Sequence, residues 1–244
     1  MARTKFLNVK IDSLKKSELA IVLGSLLTDG KQHTIFTPNP EMLVMASRDV
    51  SFRQILNESD VNVADGFGLV LACRLLERQK LDRMTGVETL ELLAELCARE
   101  GKELMLLGGA PGVAQKAAEK LNHVCSLEAG VVRFDDNGWH MDMTVLERIR
   151  SEAPDVLAVA LGHGKQERFI HDFLKELPSV RIAIGVGGAF DYLSGTVPRA
   201  PHLVRKMGLE WLYRLIREPK RLPRIWTAVV VFPWLVIRAK LKSL

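Results

Sequence analysis

The chain has 244 residues, 48% of them hydrophobic and 26% charged, with 18 Gly and 10 Pro. That composition excludes disordered and fibrous chains and matches one folded domain with room for a small appendage. A chain this long buries roughly 70 to 75% of its unfolded surface and needs no disulfide or metal staple, so Cys73, Cys97 and Cys125 read as apolar packing in a reducing compartment. The net charge of +5 hides an asymmetry: residues 199–244 carry eleven Lys and Arg against Glu210 and Glu218, a balance of +9 that leaves −4 for residues 1–198.

In chain order, the first ten residues lack the apolar run of a secretory signal, so a cytoplasmic location is expected. Residues 6–11 suggest a strand and 15–27 a helix ending at Asp29-Gly30, a small N-terminal element. Strand patterns at 34–37, 61–64, 103–107, 131–134, 156–161 and 181–186 then alternate with helical patterns from 41 onward and at 68–78, 87–100, 113–122, 144–152 and 166–177, the last stopped by Pro178. This rhythm predicts an α/β, Rossmann-like, mostly parallel sheet with helices on both faces over residues 1–198.

Composition changes near Arg199, where a basic appendage, residues 199–244, begins and holds Trp211, Trp226 and Trp234. Its uncharged stretch 226–237 is twelve residues long and interrupted by Pro233, short of the roughly 20 that span a bilayer. A helical appendage lying on an anionic membrane surface is therefore expected. A helix folded onto the core is the alternative, and a nucleic-acid patch a remoter one.

Ligands of such sheets bind outside the carboxyl ends of the parallel strands. Five loops lie there: Thr37-Pro-Asn-Pro40, Asp65-Gly-Phe-Gly68, Gly108-Gly-Ala-Pro-Gly112, Gly162-His-Gly-Lys-Gln166 and Gly187-Gly-Ala-Phe-Asp191. Glycines such as Gly109 and Gly187 let the backbone approach phosphate oxygens while the next helix N-terminus supplies N–H groups, so a nucleotide or sugar phosphate suits them. None matches a dinucleotide or P-loop fingerprint.

Asp65 follows the apolar run Val61-Asn-Val-Ala64 and either faces the ligand crevice or caps the next helix. Thr37 and Asn39 offer short hydrogen-bonding groups to a sugar or phosphate, or simply make the Asn-Pro turn. Asp191 either accepts from a base edge or caps its own turn. With no Asp-x-Asp and no His or Cys cluster, neither a metal nor a cofactor is demanded. The charge of a departing nucleoside diphosphate then falls to helix N-termini and arginines. Arg83 stands just before Thr85-Gly86, and Arg214, Arg217, Arg221 and Arg224 would share one face of an uninterrupted helix. Pro219 and Pro223 argue against one helix, and a solvated basic face is the bland alternative. His163, between two glycines, has acid–base chemistry but no visible partner.

Taken together and in order, the loops resemble the WecG/TagA/CpsF family of bacterial glycosyltransferases. The marks are Thr37-Pro-Asn-Pro40, Ala64-Asp-Gly66, Arg83-Met-Thr-Gly86, Leu107-Gly-Gly109, residues 161–167, Gly185-Val-Gly-Gly-Ala-Phe-Asp191, and Gly208-Leu-Glu-Trp211 followed by Arg214 and Glu218-Pro-Lys-Arg221. The resemblance implies inverting, metal-independent transfer of an N-acetylmannosamine-type sugar from a UDP donor to undecaprenyl-diphosphate-linked N-acetylglucosamine, in wall teichoic acid, capsule or related polymer assembly. It implies an enzyme peripheral on the inner face of the cell membrane, with an appendage that meets the membrane.

By matching position the resemblance makes Asp65 the general base and puts Thr37, Asn39 and Gln166 in the donor site, with Thr37 and Gln166 counted among the catalytic residues. Asp191 becomes a uracil-side contact, and Arg83, Arg214, Arg221 and Arg224 phosphate ligands. The family's loop usually reads Leu-Gly-x-Pro-x-Gln-Glu. Here Gly164 takes the Pro position, which is expected to loosen the backbone before Gln166. One carboxylate suffices for an inverting displacement. A lipid-anchored acceptor also accounts for the tail, whose basic residues each add about 1 kcal/mol of attraction to anionic lipid. The competing expectations are a dinucleotide-dependent oxidoreductase and a membrane-attached nucleotide-binding module; no nucleic-acid partner is expected, and homo-oligomer formation stays open.

Overall fold

The computed structural model describes residues 2–76, 81–121, 124–130, 132–201, 203–204 and 207–242. Six strands form one parallel sheet in the order β4-β3-β10-β9-β5-β6: β3 (His33–Phe36), β4 (Val61–Asn62), β5 (Leu104–Gly108), β6 (Val124–Leu127), β9 (Val156–Ala160) and β10 (Ile182–Gly185). β5 and β9 are buried at every position, as apolar runs covered on both faces must be. Alternate residues serve opposite faces. Phe36, Leu107, Val159 and Ala183 join a core shared with α2 (Pro40–Arg48), α3 (Val50–Glu58) and α8 (Lys165–Phe173). Ile35, Leu106, Ala158 and Ile184 join one shared with α1 (Lys16–Thr28), α5 (Gly86–Glu100) and α6 (Val113–Leu121). The predicted parallel sheet with helices on both faces is therefore present.

The differences are local. The expected strand at 6–11 is a hairpin, β1 (Ala2–Phe6) and β2 (Val9–Ser13), whose tip Leu7-Asn8 has φ of 47° and 65°. Two positive φ values make the tight turn that matches strand twist, and a leucine in the first of them disguised it. The expected strand at 131–134 does not join the sheet: β6 takes the edge. β7 (Arg133–Asp135) pairs only with β8 (Gly138–His140), Val131 lying outside the described residues. Aromatic packing holds that hairpin down, with Phe134 4.8 Å from Trp139 and Trp139 edge-on to Phe169. The helix at 68–78 is α4 (Phe67–Leu76), followed by residues outside the described set. α7 (Thr144–Glu152) is as expected, and a short α9 (Ala189–Leu193) follows β10.

The tail includes α10 (Glu210–Arg217) and then α11, Pro219–Leu241, one 23-residue helix that contains an 18-residue stretch of mean hydropathy 1.4 and is long enough to cross a membrane. The prolines do not break it. Pro219 opens the helix in a 3-10 turn, Pro223 is the second residue of the α-helical turn that follows, where its missing N–H is tolerated, and Pro233 comes just after a π-helical turn, Thr227–Val231. The helix is docked along one stripe against α2 and α4. Phe232 and Val236 are buried there, with Phe232 6.2 Å from Phe6, while Trp226, Trp234, Ile237 and Leu241 are exposed.

Candidate active site

The carboxyl ends of β3, β4, β9 and β10 meet at one rim, and α10 and α11 close over it. One cleft is lined by Thr37, Asn39, Asp65, Arg83, Gly187, Arg214, Arg221 and Arg224. An adjoining cleft shares Gly187 and the three tail arginines and adds Gly109 and Asp191. Gln166 lies beneath them, 1% exposed.

Thr37 donates its hydroxyl to the Gly185 carbonyl at 3.2 Å, strapping the end of β3 to that of β10. Asn39 caps α2 by accepting the Met42 N–H at 3.0 Å, with Pro40 at the first helical position. Its amide nitrogen is left 3.4 Å from His163 Nδ1. Asn39 thus makes the turn and faces the cleft together.

Asp65 opens onto the cleft but is otherwise enclosed by protein. Burial pushes its carboxyl up to about 6, against the pull of Arg83 and with the help of Glu210. Such a group is ionised at neutral pH and still basic enough to take a proton. Arg83 donates from Nη2 to Glu210 at 2.6 Å, while its Nε is buried without a partner. Arg199, another cleft residue, shows the same orphaned Nε and reaches Glu88 at 3.8 Å. Buried N–H groups without acceptors are rare, and two around one cleft suit an anion.

The four basic residues spaced along the tail divide. Arg214, Arg221 and Arg224 converge on the cleft from two helices, whereas Arg217 stacks over Tyr213 at 5.5 Å. Arg214 donates to Asp191 and Glu218, both at 3.0 Å, and lies 4.8 Å over Tyr192. Arg221 pairs with Glu218, and Arg224 with Glu41 at 2.8 Å. Asp191 is held by guanidinium here. His163 is pushed down to about 3 by burial and by Arg224, Arg221 and Arg214, so it stands as a neutral imidazole.

Gly164 does the opposite of what the sequence suggested. Its φ is +80°, which proline cannot adopt, and its N–H donates to Glu167 Oε2 at 2.7 Å. A Cβ there would lie 2.9 Å from Met45 Sδ. The loop is tight: Glu167 Oε1 accepts from the Gln166 amide at 2.7 Å, and Gln166 Oε1 accepts the Gly187 N–H at 3.0 Å. Glu167 is fully buried, and burial raises its carboxyl to about 7.

Sequence reasoning named no role for Glu167, Glu210, Glu218, Glu41, Tyr192 or Arg199. Glu167 left a local trace, as an acid three residues into a helix after a glycine, and Glu210 and Glu218 stood within the quoted family marks without a role. Among the described residues no group of three or more His, Cys, Asp and Glu is placed to hold a metal ion.

The sequence model described as "Glycosyl transferase WecG/TagA/CpsF family" matches residues 4–244. The chain is 31% identical over 216 residues to the N-acetylglucosaminyldiphosphoundecaprenol N-acetyl-beta-D-mannosaminyltransferase of Bacillus subtilis (strain 168), covering 88% of this chain and 80% of that protein. A protein of the same description from Bacillus spizizenii is 29% identical over 227 residues, covering 90% of this chain and 87% of its own.

Proposed function

The chain belongs to the WecG/TagA/CpsF family of glycosyl transferases, and from that premise we propose that it moves an N-acetylmannosamine-type sugar from UDP to undecaprenyl-diphosphate-linked N-acetylglucosamine, with inversion and without a metal. The observation that carries this reading is an ionisable carboxyl, Asp65, at the wall of a cleft on which Arg83, Arg214, Arg221 and Arg224 converge.

In the proposed step Asp65 removes the proton from the acceptor hydroxyl as its oxygen attacks the anomeric carbon. The bond to the UDP oxygen breaks on the opposite face, which inverts the centre. Negative charge grows on the departing diphosphate and is met by the tail arginines, now held by Asp191, Glu218 and Glu41, whose place phosphate oxygens take. Thr37 and Gln166 act by setting the loops: one ties β3 to β10, the other fixes the Gly187 N–H. Asn39 and neutral His163 offer uncharged hydrogen bonds to the sugar.

The tail fits an acceptor that stays in the bilayer. A helix with one stripe packed on the body and Trp226 and Trp234 exposed on the other side suits a peripheral position, on the inner face of the membrane. The testing experiment incubates the full chain with a polyprenyl-diphosphate N-acetylglucosamine and a panel of UDP-sugars, with and without chelator, and reads UDP release and product anomer. Sugar transfer with inversion in chelator supports the proposal; absence of transfer from every UDP-sugar overturns it. Thermal melts with UDP and NAD separate it from an oxidoreductase, which NAD would protect.

A further inference from the structure

A second groove starts at the reacting carboxyl and runs away from the arginines toward α11. Its near end is polar, at Asn39, Asp65, Arg83 and Glu210; its far end is Phe67, Trp211, Ala228, Val229 and Pro233. Its floor is built of glycine. At Gly208, whose φ is +74°, a Cβ would lie 2.5 Å from the Phe67 ring, so only glycine lets that ring sit where it does. At Gly66, φ +93°, a Cβ would press on Pro40 at 3.2 Å.

The apolar wall is not used up by the protein: Phe67 is 46% and Val229 40% exposed. From Phe67 the exposed stripe continues along α4 at Leu71 and Leu75, one and two turns on, beside α11. A groove with cations and a carboxylate at one end and hydrocarbon at the other complements an amphiphile of the same polarity.

On the reading that the acceptor is a polyprenyl diphosphate, we infer that the first isoprene units of its chain lie in this groove, between Phe67 and the π-helical turn of α11. The groove aims the diphosphate at Arg83 and Asp65, and the rest of the chain leaves along the α4 stripe to the bilayer.

The test uses the full chain with a polyprenyl diphosphate carrying a photoreactive group on an early isoprene, in vesicles, with labelled residues mapped by mass spectrometry. Labelling at Phe67 and within 228–233 supports the groove. Labelling confined to Trp226, Trp234 and Ile237, on the outer face of α11, places the chain in the bilayer and overturns it.

In parallel, Ala228→Phe fills the groove, and Val229→Ser, at an exposed position, is the milder variant. Each is expected to lower by about tenfold the ratio of kcat/KM for a long polyprenyl over a short alkyl diphosphate acceptor. An unchanged ratio in variants that melt like the wild type overturns the groove. If the wild type transfers sugar to neither acceptor, the reaction assignment fails instead, while the labelling pattern still decides the groove.

Discussion

Arg83 Nη2 lies 2.6 Å from the carboxylate of Glu210, a bond that joins the segment just before α5 to α10 beside Asp65. Arg83 pulls the Asp65 carboxyl down and Glu210 pushes it up. Glu210→Gln removes the negative charge and leaves the guanidinium free to face Asp65, so both changes lower its pKa. The acid limb of the kcat/KM profile, which reports the free enzyme's base, should therefore move to lower pH. Profiles from about pH 5 to 8 check this, and a limb that stays or moves up refutes the role given to Asp65.

Asp65→Asn should separate stability from turnover. A carboxyl raised from 3.8 to about 6 in the folded protein favours the protonated form, so its stability contribution is full at low pH and is lost as pH rises through that window. The neutral amide does not suffer that loss. At about pH 8 the variant should melt no lower than the wild type while kcat falls at least about a hundredfold, the lower range for removing a general base. Near-normal turnover would end the assignment.

What could be read in advance follows from locality. Parallel strands are apolar runs, and the glycines and acids that interrupt them mark the rim, so Thr37, Asn39, Asp65 and Gly187 were visible. The partners of the arginines were not: Arg83 meets Glu210, 127 residues away, and Arg224 meets Glu41 across 183. No local spacing reports such pairs. The tail's length was not legible because the expectation counted only the uncharged stretch 226–237 and took Pro233 as an interruption, whereas the helix runs on through charged ends and Pro233 follows a π-helical turn; the break expected at Pro219 is present, between α10 and α11. Asn8 in the hairpin tip was legible in principle, but Leu7 is a residue that rarely accepts a positive φ.

Gly164→Pro restores the residue common in the family and should nevertheless be harmful. The native φ of +80° is closed to proline, and the Gly164 N–H that Glu167 accepts would be gone. A loss of about 3 kcal/mol is expected, read as a lower midpoint in urea. A variant of wild-type stability would show that this loop adopts a different conformation.

Glu167→Gln is nearly isosteric yet also unfavourable. Both carboxylate oxygens accept, one from Gly164 N–H and one from the Gln166 amide. An amide offers one acceptor and turns its NH2 toward a donor, leaving a buried group unsatisfied at a cost of about 1–3 kcal/mol. Gln166 then loses its hold on the Gly187 N–H, so KM for the donor should rise as the melting temperature falls. A lower melting temperature with unchanged KM would confine Glu167 to folding.

The two sides of α11 should respond to different assays. Phe232 is 1% exposed and packs on Phe6, whereas Trp226 and Trp234 are 60% and 63% exposed. Phe232→Ala removes a buried ring and should cost about 3–5 kcal/mol of docking and packing. That loss also loosens Arg221 and Arg224 over the cleft, so melting temperature and kcat fall together. Trp226→Ser with Trp234→Ser removes no buried contact, so melting and activity on a short-chain soluble acceptor should hold. Co-sedimentation with anionic vesicles should drop several-fold, because interfacial indoles anchor the helix. If the paired tryptophan variant binds vesicles like the wild type, this face does not meet lipid and the tail serves only to carry arginines to the cleft.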